Sequence, residues 1–161
     1  MFYHFSDEPN IQCFEPRTPL AYPKAEPMVW AINDVYQYVY WTPRECPRVC
    51  FWPVADTSSE HMARLWSSVT GRMVIAIEAA SIARLQSTHL YRYTMPPETF
   101  VSHEEDWGVY VSHSTVEPIA VEPMGNLLDA LTAAPVELRM CPTLEPLKQA
   151  VISTSFSWHI W

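Results

Sequence analysis

The sequence predicts one α+β domain over residues 1–161, with a central, mainly antiparallel or mixed twisted sheet of about seven strands and about four short helices. Apolar residues make up 48% of the 161 residues and charged residues 17%, so the chain can bury a sizeable core. Short β-rich runs bounded by proline or glycine outnumber helical patterns. Strands and helices do not alternate regularly, which disfavours a doubly wound parallel sheet.

The first half of the chain is predicted to contain three strands and one segment that is either a helix or a strand. Three apolar runs have the length of strands: Phe2–Phe5, Met28–Ile32 and Val49–Trp52. Residues 35–41 follow the capping pair Asn33-Asp34 and predict a short helix, with a strand as the alternative because the segment is rich in aromatic residues. Between Pro9 and Pro27, five prolines and no glycine predict an extended loop that lies on the domain.

Helices and strands alternate irregularly in the second half. The first predicted helix begins at the capping residues 56–60 and ends at Gly71, with Met62, Leu65, Trp66 and Val69 on one face. The other three predicted helices are Ala79–Gln86, a segment that is capped by Asn126 and runs to Ala134, and Leu144–Val151. The predicted strands are Met73–Ile77, Leu90–Thr94, Trp107–Val111, Val116–Val121 and Val136–Met140. His103–Asp106 is predicted as a solvated turn, and the aromatic tail Phe156–Trp161 is expected to dock on the domain.

Charge and glycine content exclude several functions. Eighteen acidic residues against ten basic ones leave a formal charge of −8, which argues against general nucleic-acid binding and against a polybasic membrane anchor. Three glycines cannot form the phosphate-binding glycine loops, and neither G-x-S-x-G nor H-E-x-x-H occurs. No signal-like start or run of about 20 apolar residues is present, so a cytoplasmic protein with reduced cysteines is expected. The cysteine and histidine spacing favours no metal site.

Two pairs of residues are candidates for binding a ligand. His4 and Ser6 are two apart in a predicted strand, so they face the same side and could bind a sugar hydroxyl or a phosphate. Arg44 and Arg48 flank a proline-held turn and could clamp a phosphate or carboxylate. The alternatives are a satisfied strand histidine and surface arginines paired with the abundant acids.

A carboxylate within an apolar strand is the candidate for catalysis. Glu137 could orient a ribose hydroxyl or stabilise an oxocarbenium ion, and Glu78 at the end of the Met73–Ile77 strand is a similar candidate. The alternative, which the period of two favours, places Glu137 and Arg139 on the solvent face. The dense aromatic segment from Tyr36 to Trp41 could stack a nicotinamide or adenine ring, or could form core.

Five segments resemble a small family of uncharacterised bacterial proteins and span nearly the whole chain. They are His4-Phe5-Ser6-Asp7-Glu8-Pro9, Val29-Trp30-Ala31-Ile32, Pro43-Arg44-Glu45-Cys46-Pro47-Arg48-Val49, Leu90-Tyr91-Arg92-Tyr93 and Val136-Glu137-Leu138-Arg139. This resemblance implies no function.

A second resemblance is to ADP-ribosyltransferase-like domains. It rests on Tyr3-His4-Phe5-Ser6 followed by Val29-Trp30-Ala31 and a capped helix. It implies that NAD is the cofactor and that His4 contacts the adenosine ribose, with Tyr36 or Tyr40 packing the nicotinamide. Glu137 or Glu122 would take the place of the catalytic glutamate, although Ala120-Val121 stands before Glu122 instead of the usual Gln/Glu-x pattern.

These observations leave two functions open. The first is an NAD-dependent ADP-ribosyl transferase or hydrolase, with a nucleotide as its small-molecule partner. The second is a domain that binds a small ligand or a protein without catalysis. A carboxylate in the same cleft as His4 would favour the first.

Overall fold

A computed structural model describes residues 1–18 and 23–161. Within these residues the chain forms ten strands and four α-helices, which confirms the α+β class. The strands form one six-stranded and one four-stranded sheet instead of a single central sheet. The chain divides into two compact units, unit 1 (residues 1–37 and 89–124) and unit 2 (residues 38–88 and 125–161). Part of the predicted proline-rich loop, residues 19–22, lies outside the described residues.

The elements are numbered in chain order. The strands are β1 (Phe2–Ser6), β2 (Val29–Asn33), β3 (Arg48–Trp52), β4 (Val74–Glu78), β5 (Tyr91–Met95), β6 (Val101–Glu104), β7 (Val109–Ser112), β8 (Ala120–Pro123), β9 (Glu137–Cys141) and β10 (Ser157–Ile160). The helices are α1 (Ser59–Leu65), α2 (Ile82–Ser87), α3 (Leu127–Ala133) and α4 (Glu145–Ile152). Short 3-10 helices occupy Gln37–Tyr40, Ala79–Ser81, Pro97–Thr99 and Glu105–Trp107.

Unit 1 is built on an antiparallel sheet with the order β6-β7-β2-β1-β5-β8. The centre of the sheet pairs His4 of β1 with Tyr93 of β5, and Ser6 with Tyr91. One face is covered by a core cluster that includes Phe14, Tyr93 and Met95. Because residues directly opposite each other share a face, His4 and Ser6 lie on this core side of the sheet.

Unit 2 is built on a mixed sheet with the order β10-β3-β4-β9, in which only the β4–β9 pair of the described strands is parallel. Val49 and Phe51 point to one face, where they pack against α1 and α4 residues such as Met62 and Leu147. Arg48 and Cys50 alternate with them and therefore point to the other face. All five residues of β3 are buried, so a strand with an arginine in it lies within the interior of this unit.

Several element boundaries differ from those the sequence predicts. Helix α1 ends at Leu65, well before the predicted end at Gly71, because Trp66 caps it and the following Ser67-Ser68 has low helix propensity. The predicted helix at 35–41 is reduced to the 3-10 turn Gln37–Tyr40. Residues 103–106 are predicted as a turn, but the first two of them belong to the exposed strand β6.

Asn126 caps α3 as predicted, and its removal should destabilise the protein. Its side-chain oxygen accepts hydrogen bonds from the backbone N–H groups of Leu128 and Asp129, at 3.0 and 3.2 Å. We expect Asn126→Ala to lower the free energy of unfolding by about 1 kcal/mol, because these two N–H groups lose their acceptor. Urea denaturation measures this loss, and Asn126→Asp, which keeps an acceptor, should retain most of the stability.

Candidate functional site

A cavity of about 270 Å³ opens in unit 2, at the N-terminal end of α4. Its walls come from the start of β3, the end of β4, the first turns of α4 and the end of the chain. Charged and aromatic residues line it: Arg48, Glu78, Glu145, Lys148 and Trp161. This volume of about 270 Å³ is slightly below the range of about 300–1,000 Å³ that is usual for small-molecule pockets.

Arg48 is the most unusual residue of this cavity. It is only 3% exposed. Its Nη1 donates to the carbonyl of Cys46 at 3.2 Å, but its Nε finds no hydrogen-bond partner in the part of the chain that the structure describes. No carboxylate of the described residues forms an ion pair with it. Burial therefore lowers the pKa of the guanidinium, because the charged form has lost its hydration without gaining a counter-ion.

The local fold explains why Arg48 and Trp161 meet. The backbone of Arg48 exchanges two hydrogen bonds with that of Trp161, at 3.3 and 3.1 Å, which extends the β3–β10 pairing to the end of the described chain. This pairing places the indole ring over the guanidinium, with the Arg48 Cζ atom 5.5 Å from the ring centroid. Trp161 is 60% exposed, so much of its surface remains accessible to a ligand.

The N-terminus of α4 forms another wall of the cavity. Leu144 is the capping residue and makes no side-chain cap, while Glu78 accepts a long hydrogen bond of 3.4 Å from the Leu144 N–H. Lys148 lies near Glu145, with 3.9 Å between its Nζ and the carboxylate. On the α4 side the cavity thus combines the Lys148 ammonium, two carboxylates and the positive end of a helix dipole, whereas the side chain of Arg48 leaves β3 on the other face of the sheet.

A polar layer lies on the same face of the sheet as Arg48. His159 of β10 is directly opposite Cys50 of β3, and its ring contacts Tyr40 edge-on with 5.5 Å between centroids. Burial raises the pKa of the Cys50 thiol to about 12, so this thiol stays protonated. Burial, and then the charge of Arg48, lower the pKa of His159 to about 4. Arg48 is therefore the cation of this layer at neutral pH.

His159 should make the stability of the protein depend on pH. Its pKa is about 4 in the folded protein and near 6.5 in an unfolded chain, so the unfolded state binds more protons between these values. Its contribution is complete above pH 6.5 and is lost as the pH falls toward 4, by about 3 kcal/mol at most. We expect His159→Gln to lose less unfolding free energy than the wild type over this interval, as measured by urea denaturation at each pH. An identical decline in both proteins would contradict this assignment.

Of the predicted residues in unit 2, the structure brings Arg48 and Tyr40 into one layer but leaves two others apart. Arg44 is exposed on the turn before β3, so the predicted clamp of two arginines does not form around one buried site. Glu137 lies in register with Val74 and Phe51, which is the face opposite Arg48. It is half-buried instead of fully solvated and pairs with Arg139 at 2.7 Å.

The predicted residues in unit 1 also fall on different faces. His4 Nδ1 hydrogen bonds to the carbonyl of Trp30 at 2.9 Å, and Ser6 Oγ accepts from the Glu8 N–H at 3.1 Å. Glu122 pairs with Arg92 at 2.6 Å, and both are in register with Phe5, on the face of the sheet opposite His4. The structure thus places Glu122 and His4 on opposite sides of one sheet.

Tyr36 is the remaining predicted residue, and it lies in the segment that follows β2. Its backbone N–H donates to the Asn33 side chain at 3.1 Å, in a turn against Gly108. Gly108 has a φ of 64°, and a Cβ there would collide with the Asn33 and Tyr36 side chains, so this approach requires glycine. Tyr36 and Ser6 belong to unit 1, whereas Tyr40 and Arg48 belong to unit 2.

Sequence reasoning missed Lys148 and Trp161 as cavity residues. Lys148 lies in a predicted helix but carries no motif. Trp161 belongs to the aromatic tail that was expected to dock, and the docking takes the form of strand β10. Arg48 was named from the sequence because it flanks a proline-held turn together with Arg44, and its binding role stays a prediction.

Comparison with known protein families covers nearly the whole chain. The sequence model described as "Family of unknown function (DUF6886)" matches residues 3–161. The chain belongs to this family. No curated protein and no solved structure matches it. Membership of DUF6886 agrees with the resemblance to an uncharacterised family and assigns no chemistry. No helix that the structure describes is long and apolar enough to cross a membrane.

Proposed function

We propose that this member of DUF6886 binds a small molecule that carries both an anionic group and hydroxyl groups, with the anionic group on Arg48. The observation that supports this proposal is that Arg48, one of the residues that line the cavity, is only 3% exposed and has no carboxylate partner among the described residues. A buried cation without a counter-ion is costly. A phosphate or carboxylate beside Arg48 would offset that cost. The Nε–H has no partner among the described residues and is itself buried, so it donates to such an anion only once the groups that cover it move.

The other walls of the cavity indicate the rest of the ligand. The helix dipole of α4 and the ammonium of Lys148 favour a negative charge here. Glu78 and Glu145 repel a second anionic group but accept hydrogen bonds from hydroxyl groups, as acidic residues do for ribose. The exposed indole of Trp161 offers a surface on which a planar ring can stack. Together these groups suit a ribose phosphate or a mononucleotide.

Calorimetric titration tests this proposal with three probes: inorganic phosphate, ribose 5-phosphate and AMP. We expect saturable binding that Arg48→Met weakens at least tenfold, which corresponds to about 1.4 kcal/mol. Arg84→Met is the matched control, because Arg84 is an exposed arginine of the same unit that pairs with Glu45 at 3.3 Å. The absence of saturable heat with all three probes, or equal binding by Arg48→Met, would overturn the proposal.

A second candidate function is ADP-ribosyl transfer or hydrolysis that uses NAD. It rests on the sequence resemblance to ADP-ribosyltransferase-like domains, which implies that His4 contacts the adenosine ribose. Titration with NAD and an assay for released nicotinamide test it, with His4→Ala as the variant. Binding and nicotinamide release that both depend on His4 would favour this function. Release that is independent of His4, or no response to NAD, would remove it.

A further inference from the structure

A serine and a histidine form a hydrogen-bonded pair in unit 2, apart from the cavity residues. His61 Nδ1 lies 2.8 Å from Ser155 Oγ, where α1 begins next to the segment before β10. The Ser155 N–H also donates to His61 Nδ1, at 3.0 Å. The Ser58 N–H donates to Ser155 Oγ at 2.9 Å. Three hydrogen bonds thus fix the relative position of the hydroxyl and the imidazole.

These contacts settle which group donates between the two side chains. Because the backbone N–H of Ser155 can only donate, His61 Nδ1 must be an unprotonated acceptor. The Ser155 hydroxyl then donates to the same nitrogen, so the N–H and the O–H share its single lone pair in a three-centre hydrogen bond. The Ser58 N–H stabilises negative charge that develops on Ser155 Oγ. This is the arrangement that activates a serine, with a base within hydrogen-bond distance and in the acceptor tautomer.

We propose that Ser155 and His61 are a nucleophile and general-base pair that accepts acyl groups from small activated carboxylic esters. Both residues are half-buried, so the pair is neither fully sealed nor freely hydrated. Arg64, one turn further along α1, is exposed and donates to Ser153 Oγ at 3.1 Å. Its guanidinium is thus held on a residue two positions before Ser155, where a cation would favour esters with an anionic acyl or leaving group.

The reaction requires only water as a co-reactant. Ser155 Oγ attacks the ester carbonyl and forms a C–O bond, while its proton passes to His61 Nδ1. When Nδ1 takes the proton, the Ser155 N–H loses its acceptor and becomes available to the tetrahedral oxyanion. The bond to the leaving alcohol breaks, and that alcohol takes the proton from His61. Water then hydrolyses the acyl-serine to a carboxylic acid and restores the hydroxyl.

Covalent labelling with an alkyl fluorophosphonate tests the proposal on the full chain. Peptide mapping by mass spectrometry should locate the adduct on Ser155 of the wild-type protein, without any substitution. We expect Ser155→Ala to remove the labelling and His61→Gln to slow it at least tenfold. Ser87→Ala is the matched control and should be labelled at the wild-type rate, because the Ser87 hydroxyl is exposed and donates to the Arg84 carbonyl at 3.4 Å.

The possible outcomes separate activation from a purely structural network. The proposal is supported if the adduct on Ser155 forms faster in the wild type than in His61→Gln and circular dichroism shows that both proteins are folded. Hydrolysis of p-nitrophenyl acetate that is lost in Ser155→Ala supports turnover. An unlabelled wild-type protein, an adduct elsewhere, or equal rates in the wild type and a folded His61→Gln would overturn the proposal.

Discussion

Replacement of Phe51 by alanine should lower the free energy of unfolding by about 3–5 kcal/mol. Phe51 is fully buried in unit 2, where its ring contacts those of Trp66 and Phe156 edge-on, with 5.8 and 5.5 Å between centroids. The Arg139 guanidinium lies over it at 5.9 Å. Removal of the ring leaves a cavity among groups that cannot all move to fill it, so both the transfer free energy and the packing contacts are lost.

Urea denaturation, followed by tryptophan fluorescence and by circular dichroism, measures this loss. Met140→Ala is the matched control, because Met140 lies in the same sheet but is 57% exposed. Its stability should stay within about 0.5 kcal/mol of the wild type. A denaturation midpoint for Phe51→Ala near that of Met140→Ala would contradict the assignment of the core around β3.

Replacement of Arg48 by methionine should stabilise the ligand-free protein by about 1 kcal/mol. Arginine at this position is buried without a carboxylate partner among the described residues, so it costs desolvation that methionine does not. The unbranched methionine chain fits the space of the arginine stem. The variant gives up the hydrogen bond to Cys46 and the contact with Trp161, which makes the net gain small. A binding residue that lowers the stability of the ligand-free protein is expected, because functional sites often trade stability for activity.

Thermal and urea denaturation without added ligand measure this effect, and Arg84→Met again serves as the control. Stabilisation together with loss of phosphate binding is the combination that a ligand-binding arginine predicts. A loss of more than about 2 kcal/mol would show that Arg48 holds the unit together, because only a satisfied structural charge is so costly to remove.

Local sequence patterns predicted some elements closely and others poorly. The β-branched run at 73–77 and the capping residue Asn126 became β4 and α3, shifted by no more than one residue at either end of the strand. Exposed edge strands were harder, because β6 has four exposed residues and no apolar alternation. The arrangement into two sheets could not be predicted, since strand pairing depends on contacts distant in sequence.

The site was only partly predictable for the same reason. The sequence shows that an arginine begins an apolar strand. It does not show which side of the sheet the residues that contact this arginine occupy. Glu137 illustrates this limit. The sequence shows that residues of β9 alternate between two faces, but the face on which Glu137 lies is fixed by the pairing of β9 with β4. Trp161 illustrates it as well, because its ring reaches Arg48 only through the pairing of β10 with β3.

Nuclear magnetic resonance of the Arg48 side chain tests the central claim most directly. The Nε–H signal, assigned by its absence in Arg48→Met, reports on the atom that has no partner among the described residues. During titration with AMP or inorganic phosphate, this signal should shift and saturate, because the anion accepts its hydrogen bond. An Arg48 signal that stays unchanged while AMP saturates the protein would contradict the account.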